Sequence, residues 1–145
     1  MSQADLEAWG TRIGAAATLP LLLALRGELG AGKSVLARAI ARAAGVQTPL
    51  PSPTFNLLFR YETPRAAVLH FDLFRLESPA EVWELGWSEL GDADQLVLIE
   101  WPEQAESLLP VDRWDITISP VDQRPDLRSV RAERIGSAPD LPEPE

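Results

Sequence analysis

The chain has 145 residues, 46% apolar and 24% charged, with a formal net charge of −9, a balance suited to one soluble domain with a real core. The lack of cysteine excludes disulfides and thiolate metal sites, and the single histidine, His70, argues against a His-ligated metal or a His-based triad. The acidic balance argues against strong binding of nucleic acid by this chain alone, since that affinity comes from Lys and Arg; with no apolar run long enough for a membrane and no visible signal peptide, a cytoplasmic location is expected.

Residues 4–17 predict an amphipathic helix, with Leu6, Trp9, Ile13 and Ala16 at helical spacing. Residues 19–25 form a short continuous apolar run, as in a strand buried on both faces. The run feeds into Gly27-Glu28-Leu29-Gly30-Ala31-Gly32-Lys33-Ser34, which fits the phosphate-loop pattern G-x-x-x-x-G-K-[ST] at every fixed position. Lys33 is the only lysine, and every other basic side chain is arginine. A compact ammonium fits beneath β- and γ-phosphates where a planar guanidinium would not. Beyond Ser34 a helix is expected, with Leu36, Ala39, Ile40 and Ala43 as its apolar stripe and Gly45 as its stop.

Residues 49–53 read as a Pro-rich loop ending at Thr54, followed by strands over 56–62 and 67–71, the second ending in Asp72. Ser78, Pro79 and Glu81 form a capping box with proline at the first helical position, so a helix is expected from Pro79 to about Leu90, weakened at Gly86. Residues 96–99 make another buried strand, ending in Glu100. Residues 114–119 and 129–135 alternate as peripheral strands of a hairpin. The expected organisation is one domain over 1–135 and a disordered, acidic, Pro-rich tail over 136–145.

Strand, glycine-rich loop and helix together form the context a phosphate loop requires, and nucleotide binding follows from it. The Ser34 hydroxyl is a Mg²⁺ ligand candidate, and either Asp72 or Glu100 could supply the strand-end carboxylate. Thr54 is equally an ordinary loop residue or a switch-loop hydroxyl. His70 shares a strand face with Asp72 and reads as a packed, hydrogen-bonded residue. Trp101, next to Glu100, is expected near the nucleotide, while Trp83 and Trp87 are core aromatics or a partner-facing patch.

Four blocks in order resemble the TsaE (YjeE) family: the loop from Gly27 to Ser34; Ser52-Pro53-Thr54-Phe55; His70-Phe71-Asp72-Leu73-Phe74-Arg75; and Glu100-Trp101-Pro102-Glu103. Family members often carry Thr at the position of Ser34 and Tyr at that of Phe74. The resemblance implies an α/β fold of the P-loop NTPase type, in three layers, with a mixed central sheet and flanking helices. It implies an ATPase of tRNA threonylcarbamoyladenosine synthesis that binds ATP or ADP with Mg²⁺ and acts with TsaB and TsaD. Gly30, Ala31, Gly32, Lys33, Ser34 and Val35 would then hold the phosphates, and Ser34 and Glu100 the metal. Lys33, Thr54, Asp72 and Glu100 would serve the reaction. The alternative is a small-molecule kinase of the same loop class. A GTPase switch would need an N-K-x-D guanine motif, which is absent. A purely structural module would have no use for this set of polar residues.

Overall fold

The computed structural model describes residues 1–48 and 57–144. Its strands are β1 (Leu21–Arg26), β2 (Leu58–Glu62), β3 (Ala67–Asp72), β4 (Gln95–Glu100), β5 (Arg113–Val121) and β6 (Arg124–Ile135), and its helices are α1 (Gln3–Ala16) and α2 (Lys33–Ala43). The strands form one sheet in the order β2-β3-β4-β1-β5-β6. β3, β4, β1 and β5 run parallel, while β2 and β6 are antiparallel edges.

The apolar runs occupy the middle of this sheet because they must bury both faces. On β1, Leu21, Leu23 and Leu25 pack toward α1 and α2, and Leu22 packs into the opposite layer. That opposite layer comprises three 3₁₀ segments, Pro79–Leu85, Trp87–Glu89 and Pro102–Leu108, anchored by Val82, Trp87 and Ala105. The result is the expected three-layer α/β arrangement with a mixed sheet.

Two expectations need correction. The helix read from Pro79 to Leu90 has the predicted capping box at Ser78 and Glu81, but it is two short 3₁₀ pieces. Gly86 breaks it by taking φ +80, a left-handed conformation that cannot continue a right-handed helix. Trp83 and Trp87 part company as a result: Trp83 stays exposed, whereas Trp87 is buried edge-on against Phe71 and donates from Nε1 to the Leu108 carbonyl at 2.7 Å.

The tail expected to be disordered lies on the body through residue 144. It has little apolar surface of its own, but two indole N–H groups of the body need acceptors, and its carbonyls provide them. Trp9 Nε1 donates to Pro142 O and Trp114 Nε1 to Pro139 O, each at 2.8 Å. Arg12 donates to Glu143 O at 3.0 Å, and Ala138 is buried.

The helices α1 and α2 meet at Gly10 and Gly14. A Cβ added at Gly14 would lie 2.3 Å from the Ile40 carbonyl oxygen and 2.7 Å from the Ala43 Cβ. Gly14→Ala is therefore expected to lower stability by about 1–3 kcal/mol through overpacking, although alanine favours helix; urea unfolding followed by circular dichroism measures it, and an unchanged or raised midpoint would contradict this close approach.

Candidate active site

Because β1, β3 and β4 are parallel neighbours, their carboxyl ends open on one edge of the sheet. β1 runs there into the phosphate loop. Two glycines are required by the backbone: at Gly27 a Cβ would approach the Ile118 carbonyl oxygen to 2.5 Å, and Gly32 caps α2 at φ +116. Lys33 opens α2 and is 4% exposed. Its ammonium donates to the Gly27 carbonyl and sits 3.3 Å from the centroid of the Trp101 ring, a cation–π contact. Trp101 holds this position with φ +57 and packs against Phe74, ring centres 4.9 Å apart. Burial pushes the Lys33 ammonium below the usual lysine range, while Glu100, Glu103 and Asp72 push it back.

Glu100 ends a strand of six buried residues. Its Oε1 accepts from Ser34 Oγ at 3.0 Å, and its Oε2 meets His70 Nε2 at 2.5 Å. Asp72 is the register partner of Glu100 on β3. Its Oδ1 accepts from the Phe74 N–H at 3.1 Å. Burial raises its carboxyl above the ordinary range; the Phe74 bond opposes this, the Glu100 charge adds to it, and His70 and Lys33 lower it.

These side chains surround a cleft of about 380 Å³, lined by residues 29–35 together with Leu57, Asp72, Phe74, Arg75, Glu100 and Trp101. The structure thus brings together Gly30, Ala31, Gly32, Lys33, Ser34, Val35, Asp72, Glu100 and Trp101. Thr54 lies outside the described residues. Phe74, which sequence reasoning named only within its motif block, also lines the cleft, and His70, placed as a packed residue, has in Glu100 a partner that sequence reasoning did not name. The alternation that sets His70 and Asp72 on one face was the available signal.

The donor set suits a hard cation: a hydroxyl and a carboxylate oxygen already converge at 3.0 Å. No group of three or more His, Cys, Asp or Glu among the described residues could hold a metal.

The sequence profile of the threonylcarbamoyl adenosine biosynthesis protein TsaE matches residues 1–129. The chain is 38% identical over 115 residues to the tRNA threonylcarbamoyladenosine biosynthesis protein TsaE of Rickettsia prowazekii, spanning 79% of each. With the protein of the same name from Rickettsia bellii the identity is 41% over 102 residues, 70% of each. With that of Haemophilus influenzae it is 34% over 110 residues, 76% of this chain and 68% of the relative. The crystal structure of Bacillus subtilis YdiB shares the fold, with a TM-score of 0.74 over 94% of this chain and 82% of that one, at 22% identity.

The raised Asp72 carboxyl yields a pH test. In the folded state its charged form is disfavoured, so stability falls as pH rises from the ordinary value near 3.8 through the folded value. Asp72→Asn keeps the acceptor for the Phe74 N–H and removes the charge. Urea titrations are expected to show the variant more stable than the parent at pH 7, with the gap closing as the pH falls from the raised folded value to 3.8. A gap that widens on acidification would refute the assigned cause.

Proposed function

Because the chain belongs to the TsaE family, and so to tRNA threonylcarbamoyladenosine biosynthesis, we propose that it is the Mg²⁺-dependent ATPase of that process, acting on a TsaB–TsaD pair. The observation that carries the reading is the meeting of the phosphate loop, Lys33, Ser34 and Glu100 in one cleft.

In this reading the loop N–H groups and the N-terminus of α2 bind the ATP phosphates. The Lys33 ammonium exchanges the Gly27 carbonyl and the Trp101 ring for phosphate oxygens. Ser34 and Glu100 would hold Mg²⁺, which supplies positive charge to the β- and γ-phosphates. Ser34, now bonded to Glu100 Oε1, would offer its hydroxyl oxygen to that cation, and His70, at the other Glu100 oxygen, would hold the carboxylate in place. Asp72, beside Glu100 at the adjacent strand end, orients the attacking water, and Thr54 contributes the switch-loop hydroxyl. Trp101 covers the phosphate side. The acidic surface suits docking on proteins rather than gripping tRNA, and no described helix is long and apolar enough to cross a membrane. A cytoplasmic place of action follows from the process.

With γ-labelled ATP and Mg²⁺, the label is expected to appear as free phosphate, slowly for the chain alone and faster with TsaB and TsaD. Lys33→Ala and Glu100→Ala are each expected to reduce phosphate release by about 100-fold or more. Label passing to a small-molecule acceptor instead would point to a kinase, and full turnover in both variants would remove the site assignment.

A further inference from the structure

Arg128 lies on β6, 97 residues beyond the phosphate loop, yet its Nε donates to the Ala31 carbonyl at 2.9 Å. It is set apart from other arginines of the same strand. Arg124 pairs with Asp126 and Arg131 with Glu133, all of them exposed. Alternation turns Arg128 to the sheet face where Val130 and Ala132 pack against the α1–α2 core. There its Nη1 donates to the carbonyls of Pro125 at 2.9 Å and Leu127 at 3.0 Å. Its own backbone N–H is tied to the Met1 carbonyl at 2.6 Å. The guanidinium is therefore fixed at its root and at its tip, with its fork spread over three backbone carbonyls.

The consequence follows from the planarity of the peptide. In a trans peptide the carbonyl of one residue and the N–H of the next point in opposite directions. Holding the Ala31 carbonyl outward turns the Gly32 N–H to the other side. Ala31 and Gly32 line the cleft, and Arg128 does not. The Arg128 bond thus sets the orientation of a loop N–H at a place where Gly32, at φ +116, has freedom that other residues lack. We propose that Arg128 is a positioning residue for phosphate binding: it braces the loop from behind so that the Gly32 N–H is presented to the nucleotide before the nucleotide arrives. The inference rests on the nucleotide reading of the cleft and adds to it a residue from the opposite edge strand, outside every recognised motif.

Isothermal titration of the full chain with ADP and, separately, with inorganic pyrophosphate tests it. Arg128→Ala is expected to weaken both by about tenfold, because the defect is in the phosphate cradle. Arg128→Lys, which keeps a single donor on a similar stem, is expected to fall between Arg128→Ala and the parent. Arg131→Ala, on the same strand but on its other face by alternation and paired with exposed Glu133, is expected to bind like the parent. Wild-type affinity of Arg128→Ala for both ligands overturns the proposal, as does a loss confined to ADP. Should Arg128→Ala not fold, Arg128→Lys with parental affinity for pyrophosphate overturns it equally. Failure of the parent chain to bind either ligand would instead remove the nucleotide reading itself.

Discussion

Glu100 is a carboxylate with 2% exposure at the end of a strand that is buried throughout. A carboxyl group buried there is costly unless both oxygens find hydrogen-bond partners, and here each does, one on α2 in Ser34 and one on β3 in His70. This single carboxylate joins the phosphate-loop helix to two neighbouring strands. The relative placing of α2, β3 and β4 is what lets the three groups meet, and the cleft takes its shape from that meeting.

Around it, the fold collects polar groups that stability alone would not keep. Lys33 and Asp72 are buried beside Glu100, and burial pushes each of them toward its neutral form. Lys33 rests on an aromatic ring and a carbonyl, contacts that a phosphate can replace without rebuilding the loop. Among the described residues, the cost of this grouping is electrostatic: two buried charges, Lys33 and Asp72, are each pushed toward neutrality by burial.

Support for the cleft comes from places far apart in the chain. Leu6 of α1 lies beneath Gly32, within 2.9 Å of where a Cβ would stand. Ile118 of β5 packs against Gly27. The edge strand β6 reaches the loop through Arg128. The loop itself is short and rich in glycine, so its shape is imposed by these neighbours as much as by its own sequence.

Local patterns in the sequence were enough to establish the central strands, both α-helices, the hairpin and the glycine loop. Unbroken apolar runs mark strands covered on both sides, and the spacing of the loop's glycines with Lys33 and Ser34 leaves few other roles. The strand-end positions of Asp72 and Glu100 were legible for the same reason, because each closes an apolar run. Only the tertiary structure decided what depends on distance. It broke the 79–90 segment at Gly86, laid the 136–144 tail over two indole N–H groups, seated Lys33 on Trp101, gave His70 its partner and brought Arg128 behind the loop. Backbone periodicity is a property of neighbours in sequence, whereas the pairing of a buried donor with an acceptor is settled only when the whole chain has packed.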